Sequence, residues 1–178
     1  MKSQEEKLNK FSDIDKEKII NEYICDLETF SVNFIINEKP VPYARARLGR
    51  SGIFYNPKSS IERKYKNIFF NELPQTEKEK IIKLLKSETA EYYVKINGDF
   101  FVPTQQNDSA KTILLKEEKI IRPELRNGDI DNYMKLILDA LHGVIYNDDK
   151  IVMSISANKY YSIKPRSEIK VEFIVKHY

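Results

Sequence analysis

The sequence is poor in the residues that build redox and zinc sites. Its 178 residues include one cysteine and two histidines. A single cysteine excludes an intrachain disulfide and a cysteine metal cluster, and two histidines alone do not form a typical zinc site. Any metal ion that this chain binds must therefore be held by oxygen atoms.

Long apolar stretches are also absent. No hydrophobic run approaches the roughly 18 residues that a membrane helix needs, and the first ten residues, MKSQEEKLNK, are charged where a signal peptide has its apolar part. Hydrophobic residues make up 41% of the chain and charged residues 32%, as in ordinary folded proteins. These features predict one folded domain in the cytoplasm, with no association with membranes.

Positive charge is scarce at the start of the chain and concentrated further on. Residues 1–30 contain 5 lysines and 8 acidic residues, a net charge of −3, whereas the whole chain carries +3. Residues 39–66 hold eight basic residues against Glu62 alone. Such a strip is typical of proteins that bind a phosphate polymer, although a solvated helix face also explains residues 63–66. The DNA-binding candidates in the strip are Arg45, Arg47, Arg50 and Lys58.

Helix-like and strand-like patterns follow one another, which predicts a mixed α/β domain behind a short extension. The acidic extension, residues 1–30, contains a helix over 12–28 that begins with the capping-box pair Ser12 and Asp15. The main domain, residues 31–178, opens with a strand at 31–36 and carries its arginines on a loop or hairpin. Further elements are helices beginning near Pro57, Pro74 and Asp131, strands over 92–103, 151–157 and 169–175, and an ambiguous segment over 104–128.

Two carboxylates stand just before the helix predicted over 132–142. Asp129 and Asp131 flank Ile130, so an extended backbone would place both on one side of the chain. Two such groups attract a hard cation, whereas the plainer interpretation is that Asp131 caps the helix and Asp129 adds favourable charge there. A calcium-binding EF-hand is excluded, because Tyr133 and Met134 occupy positions where that loop needs a ligand and a glycine.

A second acidic pair, Asp148 and Asp149, follows the same helix in a turn. Alone, the pair is what an ordinary turn uses. If the helix returns through a short turn, however, the pair converges with Asp129 and forms a cluster of three or four carboxylates. Carboxylates packed closely need a cation to offset their repulsion, and ligation by oxygen alone suits Mg²⁺ or Mn²⁺.

Lys135 lies one helical turn after Asp131 and therefore on the same face of the helix. It has two interpretations. One is an ion-pair ladder with Asp131 and Asp139. The other is that its ammonium group stabilises the extra negative charge of a phosphodiester transition state.

Taken together, these segments resemble the RusA family of Holliday junction resolvases. The resemblance spans residues 31–162 and depends on two stretches, PYARAR and GDIDNYMKLILDALHGVIYNDDKI. In the second stretch, the chemically important residues fall at the positions that the family uses: Asp129, Asp131, Asn132, Lys135, Asp139 and Asp149.

The resemblance implies a mixed β-sheet packed by helices and a Mg²⁺-dependent endonuclease that cuts four-way DNA junctions in recombination and repair. Asp129, Asp131 and Asp149 would hold the metal as catalytic residues, and Asp148 would assist them or shape the turn. Lys135 would aid the chemistry at the phosphate.

The resemblance further implies that Arg45 and Arg47 grip DNA and that the protein acts as a homodimer, whose two equivalent sites match the two strands cut in a junction. Two other functions remain open at this point. One is a non-catalytic DNA-binding module of the same fold. The other is a nuclease that acts on flaps, replication forks or structured RNA.

Overall fold

The computed structural model describes residues 11–25, 27–44, 47–48, 54–55, 59–87, 91–124 and 128–176. Five α-helices lie in these ranges: α1 (Asp13–Cys25), α2 (Ser59–Glu72), α3 (Gln75–Lys86), α4 (Ala110–Glu117) and α5 (Ile130–Leu141). The strands are β1 (Leu27–Ile36), β2 (Arg47–Leu48), β3 (Phe54–Tyr55), β4 (Glu91–Pro103), β5 (Val152–Ser162) and β6 (Arg166–Lys176).

Four strands form one mixed sheet in the order β1-β6-β4-β5. β6 is antiparallel to both of its neighbours, and it pairs Val171 with Val32 of β1 and with Ile96 of β4. β4 and β5 are parallel, so the chain between them must cross over, and α4 and α5 lie in this crossover. The predicted fold class, a mixed sheet packed by helices, is confirmed.

The core lies on one face of this sheet, because apolar and polar residues alternate along its strands. In β1, the buried residues are Val32, Phe34 and Ile36, and their neighbours are exposed. Aromatic contacts join the helices to this face. The ring of Phe34 meets that of Phe69 in α2 edge-on at 4.9 Å, and Phe100 of β4 stacks on Tyr133 of α5 at 5.2 Å.

The helix of the N-terminal extension is shorter than predicted. Ser12 and Asp15 do form the capping box: the Ser12 hydroxyl accepts a hydrogen bond from the Asp15 amide, and the Asp15 carboxylate accepts one from the Ser12 amide. The helix ends at Cys25, however, rather than at residue 28. Residues 27–30 belong to β1, because they pair with β6 starting at the contact between Leu27 and Lys176.

Helix α5 is the most buried helix of the described residues. Its buried side chains are Tyr133, Met134, Leu136, Ile137, Ala140 and Leu141. The helix ends at Leu141, and Gly143 follows the C-cap residue His142 with a φ of 76°, in the left-handed region that glycine tolerates. A turn then leads through the 3₁₀ segment Asp149–Ile151 into β5, which runs back along the helix. The last part of β5 therefore lies beside the start of α5.

Candidate active site

Asp129 is the N-cap of α5, although its side chain makes no capping hydrogen bond. The helix thus begins one residue before Asp131, which corrects the prediction that Asp131 caps it. The preceding Gly128 has a φ of 82°, and a Cβ atom there would lie 3.2 Å from the Tyr133 hydroxyl and 3.4 Å from Pro42. This close packing fixes the backbone at Asp129 and leaves its exposed carboxylate available for a ligand.

Asp129 and Asp131 open into the same cleft, which has a volume of about 560 Å³. Asp131 is exposed in the first turn of α5. The lining of the same cleft includes cationic side chains from two other segments, namely Lys119 and Arg122 from the loop after α4 and Lys159 from β5. Two carboxylates and three cations therefore line one open space.

Lys159 also fixes the carboxylate side of the cleft. Its ammonium group donates a hydrogen bond of 2.6 Å to the carbonyl oxygen of Gly128, directly before Asp129. This contact ties the end of β5 to the beginning of α5. The relative placement of Asp129 and β5 is thus set by a hydrogen bond as well as by packing.

Lys135 is exposed one turn beyond Asp131, and both residues line a neighbouring, more apolar pocket of about 400 Å³. The Lys135 ammonium lies 4.4 Å from the centre of the Tyr43 ring. The Tyr43 amide in turn donates a hydrogen bond of 2.8 Å to the Asn132 carbonyl oxygen. Lys135 is therefore held against an aromatic face one helical turn after Asp131, and its role at a reacting phosphate stays a prediction.

Asp148 and Asp149 lie at the other end of α5. The Asp148 carboxylate accepts a hydrogen bond of 3.0 Å from the Lys150 amide, and this bond lowers its pKa. Asp149 lies near Asp139 and Tyr146. Burial raises the pKa of both of these groups, and the negative charge of Asp149 raises them further.

The expected convergence of the two acidic pairs does not occur within the chain. α5 has 12 residues, so its ends are roughly 18 Å apart at 1.5 Å per residue. One pair precedes the helix and the other follows it, and residues 157–160 of β5 occupy the place beside Asp129. Among the described residues, no group of three or more acidic, histidine or cysteine side chains is arranged to hold a metal ion.

The donor set at the start of α5 nevertheless fits Mg²⁺. This ion is usually held by one or two carboxylates, and it keeps several waters or takes substrate phosphates as its other ligands. Asp129 and Asp131 supply two carboxylates that share an open cleft. The cations that line the same cleft are suited to the phosphate that such an ion would accompany.

A family model described as endodeoxyribonuclease RusA matches residues 37–172, about three quarters of the chain. The chain belongs to the RusA family. It is also similar to the uncharacterized protein YqaN of Bacillus subtilis (strain 168), at 36% identity over 70 residues. That match covers 39% of this chain and 49% of the relative, so the chain spans about half the length of the curated protein that it matches.

Part of the basic strip of this RusA-family chain lies outside the described residues, including Arg45, Arg50 and Lys58. Arg47 is in β2, which pairs antiparallel with β3 and agrees with the predicted hairpin; its side chain is not among those described. Lys64, at the end of the strip, forms an ion pair with Glu38 on the helix surface. DNA contact by the four candidate residues thus stays a prediction.

The sequence reasoning missed Lys119, Arg122 and Lys159. Two of them, Lys119 and Arg122, lie in the segment over 104–128, whose secondary structure the sequence does not predict because helical and extended signals are mixed in it. Lys159 is two and four residues from Ala157 and Ile155, so the alternation of β5 places all three side chains on the face that α5 covers. This alternation is a usable signal in the sequence, although it does not show which end of α5 lies beside Lys159.

None of the helices in the described ranges combines the length and the apolar character that crossing a membrane requires.

Proposed function

We propose that this member of the RusA endodeoxyribonuclease family is a Mg²⁺-dependent nuclease, able to use Mn²⁺, that resolves four-way DNA junctions in recombination and repair. The observation that carries the proposal is the cleft that Asp129 and Asp131 line together with Lys119, Arg122 and Lys159. Carboxylates supply ligands for the metal, and the cations supply partners for the phosphate backbone. The family match supports the same chemistry.

Each side chain has a separate task in this mechanism. A bound Mg²⁺ would polarise the phosphate and lower the pKa of water, the usual contribution of the ion to phosphodiester hydrolysis. Asp129 and Asp131 hold it in the cleft. Lys135, held beside Asp131 over the ring of Tyr43, offsets the negative charge that grows on the phosphate.

We further propose that the homodimer forms along β5. Among the described residues, β5 pairs only with β4, so its outer edge presents backbone groups that another strand can bind. Met153 and Ile155, on the same face of β5, are 55% and 51% exposed. An edge that combines unpaired backbone with exposed apolar side chains is suited to a second copy of itself.

Antiparallel pairing of β5 with its copy also accounts for Asp149. If Ser154 lies on the two-fold axis, Met153 pairs with Ile155 of the other copy. The same register carries Asp149 of the second copy toward Lys159, which is hydrogen-bonded to Gly128 in the cleft. The third carboxylate of each metal site is thus contributed by the other subunit.

Changing Asp131 to Asn tests the nuclease site. The amide keeps the size of the side chain but removes a charged ligand, so Mg²⁺-dependent cleavage of a labelled four-way junction should fall by about a hundredfold or more, as for other disrupted metal sites. Asp13→Asn, an exposed change on α1, provides the control with unchanged activity. Cleavage would be measured with Mg²⁺ and with EDTA, on junction and linear duplex.

Three results would count against the proposal. Near-normal cleavage by Asp131→Asn would show that the site is wrongly assigned. Junction binding by the wild-type protein without any cleavage would favour a non-catalytic module. Equal cleavage of flaps, forks and junctions would retain the nuclease and remove the preference for four-way DNA.

A further inference from the structure

We propose that Lys119 and Arg122, with Lys159 beside them, form a phosphate-binding wall that holds the backbone of the DNA strand being cut. The wall is distinct from the basic strip at residues 39–66, and it lies within the cleft that contains Asp129 and Asp131. This inference rests on the proposed function and names the part of the protein that positions its substrate.

Within the described part of the chain, the members of the wall form no ion pair. None of the ion pairs among the described residues involves any of its three members, although several other lysines are paired in this way. The Lys119 ammonium lies 4.2 Å from the centre of the Tyr160 ring and 5.8 Å from that of Phe101. Aromatic faces orient an ammonium group without neutralising it, so its charge remains available for an anion.

The backbone that carries the wall is held in place. Lys119 has a φ of 59°, an uncommon conformation for a residue with a side chain. Its amide donates a hydrogen bond to the Lys116 carbonyl oxygen, and the amides of Ile120 and Ile121 both donate to Leu115. The chain after Arg122 is tied to β5, because the Glu124 amide donates a hydrogen bond to the Tyr161 hydroxyl.

A phosphodiester is the ligand that a cationic wall and a pair of carboxylates in one cleft would bind together. Each DNA phosphate carries one negative charge, and arginine binds it through paired hydrogen bonds whereas lysine acts as a point charge. Contacts of this kind fix the register of the nucleic acid and read no sequence. The wall therefore sets which phosphate lies over Asp129 and Asp131.

The test is to remove both charges with Lys119→Gln and Arg122→Gln in one full-length protein. Binding of a labelled four-way junction would be measured in EDTA over a range of salt concentrations. We expect an affinity loss of about tenfold or more, since hydrogen bonds to charged groups are strong. The affinity should also fall less steeply with salt concentration, by the equivalent of about two phosphate contacts. Lys159 is left unchanged because it also holds Gly128.

The matched control is Lys111→Gln with Lys164→Gln, which removes the same charge from two exposed lysines outside the cleft. Its affinity should stay within about twofold of the wild type, because distant charges are screened by salt. Thermal unfolding would verify that both double variants fold.

The outcomes separate this inference from the proposed function. If the wall variant binds and cuts junctions as the control does, the wall is wrong and the nuclease stands. If the wall variant loses affinity while wild-type protein binds but never cleaves, the wall stands and the catalytic proposal fails. If wild-type protein binds no branched DNA, both fail.

Discussion

Lys116 is a buried lysine that supports the loop lining the cleft. Lys116 looks like the other lysines of its segment, yet it is 4% exposed and its ammonium lies 2.6 Å from the Asp108 carboxylate. The same carboxylate accepts a hydrogen bond from the Gln105 amide. This buried pair anchors α4, and through it the loop that carries Lys119 and Arg122.

Replacing Lys116 with Met should lower the free energy of unfolding by about 3–5 kcal/mol, because it removes the cation beside a buried carboxylate. Adding Asp108→Asn to the same protein should restore much of the loss, since a neutral amide is cheaper to bury. The control is Lys18→Met in the exposed pair Lys18–Glu22, for which about 0.5 kcal/mol is expected. Urea unfolding measures these changes. An equal decrease in the free energy of unfolding for Lys116→Met and Lys18→Met would contradict the prediction.

At the scale of elements, periodicity predicted much of the structure. The apolar stripe of α5 locates this helix to within about two residues, and the alternation of β5 and β6 locates both strands, although β5 continues five residues beyond the predicted end at 157 and β6 begins three residues before 169. The helix after Pro57 and the strand ending at Pro103 were also found. In each case, burial of one face requires apolar residues at a regular spacing in the sequence.

The same patterns did not reveal that the two acidic pairs lie apart within the chain. The sequence places Asp129 and Asp149 at opposite ends of α5, but it does not state which part of the returning strand lies against which end. The length of the helix decides this, because a 12-residue helix separates the two pairs by more than any side chain can span. The prediction placed the end of α1 too late for a related reason, because residues 27–30 pair with β6 and are therefore part of a strand.

Exchange of carboxylates between subunits can be tested by mixing two inactive proteins. Asp131→Asn and Asp149→Asn each remove one ligand from every site. If Asp149 acts in the other subunit, a mixed dimer contains one site with both carboxylates intact, and junction cleavage should return. A mixture of Asp131→Asn with Asp129→Asn is the control, and it should stay inactive.

A physical measurement accompanies this mixing experiment. Ile155→Lys places a charge in the proposed β5 interface and should shift the protein toward monomer in sedimentation. Ile163→Lys, at a similarly exposed position beyond the end of β5, should leave the association unchanged. Mixed dimers that form but never cleave would show that Asp149 does not complete the site across the interface.

At the scale of the whole molecule, the sheet depends on β6. This strand is paired on both sides along its length, whereas β1 at the edge pairs with β6 alone among the described strands. The sequence predicted β6 as a strand from its alternation but gave no sign of its central position. Strand order arises from long-range pairing, which leaves no local pattern.

The position of β6 predicts the distribution of amide exchange. Peptides covering residues 166–176 should exchange hydrogen for deuterium more slowly than those covering 27–36, because half of the amides of an edge strand point away from the sheet. Mass spectrometry of the native protein under mild conditions would measure this. Equal protection of the two segments would contradict the topology.

The central place of β6 also bears on when the protein becomes active during its synthesis. Every residue of the cleft precedes residues 166–176 in the chain. A ribosome therefore produces the carboxylates and the cationic wall before it produces the strand that joins the two halves of the sheet. A nascent chain holds all the chemical groups of the cleft without the scaffold that aligns them, so the proposed cutting of DNA requires β6 to have emerged.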